Sequence, residues 1–103
     1  MKKYNRLVRD RIPDLLKRQG QTPVTRILDD GEYVEGLIDT LCEEVYEFDE
    51  DRNVEELADI IEVLMALAGA LGISQQELKK VRDQKAISRG SFKKRIFLER
   101  VEE

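Results

Sequence analysis

Glu43-Glu44-Val45-Tyr46-Glu47-Phe48-Asp49-Glu50-Asp51-Arg52-Asn53-Val54-Glu55-Glu56-Leu57-Ala58-Asp59 joins two segments of helical periodicity through one short polar turn. Upstream, Val34, Leu37, Ile38, Leu41, Val45 and Phe48 recur at helical spacing behind the start signal Asp29-Asp30-Gly31-Glu32, which predicts a helix over about 31–50. Asp49 to Asn53 then breaks the pattern. Asn53 is the right residue type to cap a second helix, with Glu56 at the third position of a capping box. From Val54 to Leu71 the chain is apolar around most of its circumference until Gly72 ends it, so this helix is expected to be buried on several sides. With so short a turn between them, the two helices must run antiparallel.

Working outward, Pro13 fits the first turn of a short helix through Leu15, Leu16, Lys17 and Arg18, stopped by Gly20. Thr22 to Leu28 is β-branched and carries Pro23, so it reads as an extended arm or an edge strand. Ser74-Gln75-Gln76-Glu77 is a further capping box and opens a basic helix through Lys79, Lys80, Arg82, Lys85 and Arg89, which Gly90 stops. The tail from Ser91 to Leu98 alternates and reads as extended. The expectation is an all-α protein, a small helical bundle in one domain over 1–103, whose antiparallel hairpin lies between short extended ends.

The 103 residues leave no room for a second core. A domain of this size buries only ~60–70% of its unfolded surface, so completion of the bundle by dimerisation is expected. There is no histidine, which excludes imidazole acid/base chemistry, Ser-His and Cys-His nucleophiles and His-ligated zinc. Any chemistry must rest largely on carboxylates. Cys42, the lone cysteine, stands beside Glu43 and Glu44, which disfavour a thiolate, and it reads as a small buried apolar residue. No stretch reaches the ~18 apolar residues of a membrane span. The start Met1-Lys2-Lys3-Tyr4-Asn5-Arg6 lacks the apolar region of a secretion signal, so a cytoplasmic location is expected.

Net charge is -4, yet the charges are segregated. Residues 29–62 hold fifteen acids and one base, whereas the flanks hold seven acids and seventeen bases. An acidic centre between basic ends calls for a cation at the centre, contact between ends and centre, or both. Binding of nucleic acid is not expected, because no continuous basic face with interleaved aromatics occurs.

Four acids in the hairpin share a height. Glu44 and Glu47 are three apart on one helix and Glu56 and Asp59 three apart on the next; the midpoints of 44 with 59 and of 47 with 56 coincide at 51.5, inside the turn. Glu44 and Asp59 border the apolar faces, and Glu56 falls within one. Four partly buried anions repel one another and lose hydration, a cost that protonation or a bound cation removes. A hard divalent ion with oxygen ligands answers both, Mg²⁺ first and Mn²⁺ as a substitute. The competing reading has Glu56 closing the capping box and Glu44 and Glu47 solvated. No glycine-rich phosphate cradle is present. Phosphate would therefore be held by the metal and by side chains, with Arg6, Arg9 and Arg11 near the start and Arg82, Lys85 and Arg89 at helical spacing as candidates. Solvation, or ion pairing with the acidic helices, is the alternative use of these bases. Tyr46, Phe48 and Phe92 read as core or surface aromatics rather than base-stacking groups.

Glu44-Val45-Tyr46-Glu47 with Glu56-Leu57-Ala58-Asp59 resembles the ExxE…ExxD motif of the all-α nucleoside triphosphate pyrophosphohydrolases, the MazG-like superfamily. Tyr4-Asn5-Arg6-Leu7-Val8-Arg9-Asp10-Arg11-Ile12-Pro13 and Arg89-Gly90-Ser91-Phe92 are similar to the ends of its small phosphoribosyl-ATP pyrophosphohydrolase-like branch, so the likeness runs over essentially the whole chain. The resemblance implies Mg²⁺ held by Glu44, Glu47, Glu56 and Asp59, and assembly as a homodimer or a dimer of dimers. It also implies hydrolysis of a nucleoside triphosphate, or a related nucleotide such as phosphoribosyl-ATP, to the monophosphate and pyrophosphate. Glu43 or a ligand carboxylate such as Glu44 would take the proton of the attacking water, while Glu62, one turn beyond Asp59, is expected to face solvent. Only eight residues separate Glu47 from Glu56, fewer than in many relatives, which shortens any loop that could cover a substrate. The alternative function is a non-catalytic helical module that binds metal, nucleotide or a partner.

Overall fold

The computed structural model describes residues 4–103. The start Met1-Lys2-Lys3, on which the expectation about a secretion signal partly rests, lies outside the described residues. Four helices follow in order, α1 (Ile12–Arg18), α2 (Asp30–Asp51), α3 (Val54–Ala70) and α4 (Gln75–Arg89), and no strand occurs among the described residues. The fold is an all-helical bundle. Residues 22–28 and 95–101 carry no regular structure, so the expected extended ends form no ladder with each other.

Local chemistry sets the boundaries. Asp29 caps α2 with a complete capping box: its carboxylate accepts from the Glu32 N–H at 2.8 Å, and the Glu32 carboxylate accepts from the Asp29 N–H at 3.3 Å. α2 ends at Arg52, which takes the left-handed conformation at φ 49°, and Asn53 then caps α3 through the Glu56 N–H at 3.0 Å. The connection is thus two residues long, and α2 packs antiparallel along α3. Gly72, at φ 74°, closes α3 in a Schellman arrangement, with the Ile73 N–H donating to the Ala68 carbonyl at 2.8 Å and the Gly72 N–H to that of Gly69 at 3.1 Å.

Two of the three expected capping boxes are only half made. At Asn53 and at Ser74 the cap side chain accepts its N–H, but neither the Glu56 nor the Glu77 carboxylate returns the bond. For Glu56 the reason lies across the hairpin, where its carboxylate joins other acids.

The hairpin core is thin. Leu37, Val63 and Ala68 are the buried apolar residues, and Glu44 is buried among them. The expectation that α3 is covered on several sides fails for the single chain. α2 covers one face, the axis turns by 113° between α3 and α4, and Leu57, Ile61 and Leu64 remain open to solvent. Cys42 is likewise exposed rather than buried, and it lines an open groove with Tyr4, Arg6 and Tyr46. The N-terminal segment crosses α2 at Gly36, where a Cβ would lie 2.8 Å from Leu7 Cδ1 and 3.4 Å from Leu28 Cδ1. That close approach fixes the segment carrying Arg6 and Arg9 over the hairpin. No single helix is long and apolar enough to cross a membrane.

The shape is elongated, 62 × 32 × 25 Å, with a radius of gyration of 18.2 Å. A compact chain of this length has about 13 Å.

Candidate metal centre

The register read from the turn holds in three dimensions. Oxygens of Glu44, from α2, and of Glu56 and Asp59, from α3, lie within 4.8 Å of one another. Glu47, one turn along from Glu44, is near enough for its charge to act on both Glu44 and Glu56. Three of the four carboxylates of the two i,i+3 pairs therefore form one oxygen cluster, with Glu47 next to it.

Their environment is hostile to charge. Glu44 is 9% exposed, and its pKa is pushed up to about 7, first by burial and then by the neighbouring charges of Glu47, Asp59 and Glu56. Glu56 is also raised, by loss of hydration and then by Glu47 and Asp59. Glu44 Oε2 and Glu56 Oε2 are buried without a hydrogen-bond partner. Buried carboxylate oxygens are normally satisfied, and two orphans on carboxylates that cluster with a third make a donor set suited to a hard cation. Glu44, Glu56 and Asp59 thus fit Mg²⁺ or Mn²⁺ chemically, while the expected fourth ligand, Glu47, stands outside this set of oxygens. The solvated reading of Glu44 and the capping reading of Glu56 both fail on these observations.

Among the described residues, Arg9 already reaches the cluster. Arg9 donates to Asp59 Oδ1 at 2.7 Å and stands 3.7 Å from Glu62, so Glu62 has a partner that the sequence reading did not assign. Arg6 pairs with Glu43 at 3.4 Å, and both border a groove of about 550 Å³ shared with Tyr4, Cys42, Tyr46 and Glu47. Glu43 lies in this groove, outside the oxygen cluster. Through Glu47, groove and cluster are continuous. Tyr46 is thus a groove residue. The placement was hidden in the sequence because it needs the N-terminal segment laid across α2, and the one local sign is the glycine at position 36.

The other expected phosphate-binding bases are not brought to the cluster within one chain. Arg11 is the exposed N-cap of α1. Arg82, Lys85 and Arg89 ride on α4, which meets the hairpin only through α3, and Arg82 is 4.0 Å from Asp83 of its own helix.

Comparison with known proteins gives little to set beside this geometry. No family model and no solved structure matches the chain. An uncharacterized protein of Mycolicibacterium smegmatis is 56% identical over 41 residues, which is 40% of this chain and 42% of that protein. The chain therefore matches less than half the length of that relative.

Proposed function

We propose that the protein is a Mg²⁺-dependent nucleoside triphosphate pyrophosphohydrolase of the MazG-like kind, a cytoplasmic enzyme working as a homodimer or a dimer of dimers. The observation that carries the reading is the pair of partnerless buried oxygens on Glu44 and Glu56, within reach of Asp59. The resemblance of the two motif segments and of both chain ends to that superfamily supplies the reaction class.

Glu44, Glu47, Glu56 and Asp59 hold the cation, with Mn²⁺ as a substitute for Mg²⁺. When bound, the ion offsets the charge of the triphosphate and makes water a stronger nucleophile. The chain's own residues do the rest. Arg9, already at Asp59, turns its guanidinium to the phosphates as they arrive, and Arg11 adds charge from the start of α1. Water adds at phosphorus, the bridging oxygen leaves with pyrophosphate, and the proton of the water passes to Glu44 or Glu43. The groove bordered by Tyr4 and Tyr46 receives the nucleoside end.

The test is a panel of ribo- and deoxyribonucleoside triphosphates, with phosphoribosyl-ATP, assayed for pyrophosphate with Mg²⁺. At least one should be turned over by the native chain and none by Glu56→Gln. Tight nucleotide binding with no product would replace the enzyme by a binding module.

A further inference from the structure

The C-terminal third makes a poor single-chain structure. Phe92 is 98% and Phe97 85% exposed, with Ile96 and Leu98 nearly as open. Apolar groups gathered this way on one segment mark a surface made to be covered. Among the described residues, the ion pairs of residues 75–103 are internal to that segment, namely Lys79 with Asp83, Arg82 with Asp83 and Arg100 with Glu102. Meanwhile the chain turns by 113° between α3 and α4, and the molecule measures 62 Å along its longest axis.

The charges show what covers it. Residues 75–98 carry eight bases and two acids, and residues 29–62 carry fifteen acids and one base. The hairpin also has an uncovered apolar strip of its own, Leu57, Ile61 and Leu64 on the outer face of α3. A basic, apolar arm and an acidic, apolar receptor are present in the same chain, and within one copy the apolar groups of both stay exposed. Two copies exchanging arms about a twofold axis satisfy both surfaces at once.

We propose that residues 75–98 of one copy lie across the α2–α3 hairpin of a second copy, with Phe92 and Ile96 against the outer face of α3. Lys93, Lys94 and Arg95 then stand at the second copy's carboxylate cluster and grip the outer phosphates of its substrate. Each site is incomplete without the other copy's arm. The role in phosphate binding rests on the proposed hydrolase; the arm exchange does not.

Zero-length carbodiimide coupling tests the exchange without activity. It joins a lysine amine to a carboxylate as an amide, with loss of water to the carbodiimide. Full-length chains of natural and of heavy-nitrogen composition are mixed as equals, allowed to exchange, coupled and digested. The expected product is Lys93 or Lys94 joined to an acid within 43–62, with about half of such peptides carrying one label from each chain. Peptides of a single label only, or no coupling of Lys93 and Lys94 to the hairpin, would overturn the exchange.

Complementation tests the role in the site. Glu56→Gln keeps its arm and loses its cluster; the chain with Lys93→Ala, Lys94→Ala and Arg95→Ala keeps its cluster and loses its arm charge. Each alone should be nearly inactive on a triphosphate that the native chain cleaves. Their equal mixture should recover about one quarter of native activity, since half the dimers are mixed and each has one intact site. No recovery, with the mixed-label amides present, would confine the arm to assembly and remove it from the phosphate site.

Discussion

Replacing Glu44 by glutamine keeps the shape of the side chain and removes its charge, so in the absence of divalent cation it should make the protein more stable at alkaline pH. The carboxyl titrates at about 7 in the folded chain against 4.5 as the ordinary value. The folded state therefore holds a proton that the unfolded state has released, and stability falls as pH rises through that interval. At ~1.4 kcal/mol per pH unit the whole effect is about 3 kcal/mol, most of it between pH 5 and pH 8. Glu56 is shifted in the same direction and adds to the fall. Glu32 and Asp83, which Arg26 and Lys79 hold low, titrate below the window and do not oppose it. Urea unfolding with a chelator present, at fixed protein concentration, should give native stability that drops across this range and a Glu44→Gln variant that drops far less. Mg²⁺ at about a hundred times its dissociation constant should then restore ~2.7 kcal/mol to the native chain at pH 8 and much less to the variant. Native stability that is flat or rising between pH 5 and pH 8, or a variant that follows it, would refute the argument from buried charge.

Other consequences can be measured separately. Asp59→Asn should cut pyrophosphate release by at least ~100-fold, as loss of one fixed electrostatic contact at a reacting centre commonly does, with the helical circular dichroism unchanged. Arg9→Ala should act in opposite directions on two ligands: Mg²⁺ alone binds more tightly in calorimetry because a competing cation is gone, while KM for the nucleotide rises. Because that ion pair is well exposed, its loss should change urea stability by less than ~1 kcal/mol. Asn53→Ala removes the N-cap of α3 and should cost about 1 kcal/mol, read as a lower urea midpoint at unchanged slope.

The hairpin was legible because helical spacing and a two-residue turn fix which residues of α2 and α3 face each other, and that register brings Glu44, Glu56 and Asp59 together. The cap of Glu56 was misread for a physical reason. Its backbone N–H obeys the local rule, while its carboxylate goes to the acids that the register across the turn places beside it, and that competition leaves the box half made. Cys42 and the outer face of α3 were misjudged because apolar character says that a group seeks cover, not that its own chain supplies it. The groove at Tyr46 and the contacts of Arg6 and Arg9 depend on the N-terminal segment crossing α2, a long-range approach whose one local sign is the missing side chain at Gly36.

Binding of Mn²⁺, followed through the electron paramagnetic resonance signal of the free aqua ion, tests the carboxylate centre most directly and requires no turnover. Added to the native chain at neutral pH, Mn²⁺ should lose its free signal in a saturable way and regain it when Mg²⁺ is added, whereas Glu56→Gln should leave the signal largely intact. A free signal unchanged by the native chain, or equally reduced by Glu56→Gln, would contradict a metal centre built on these acids.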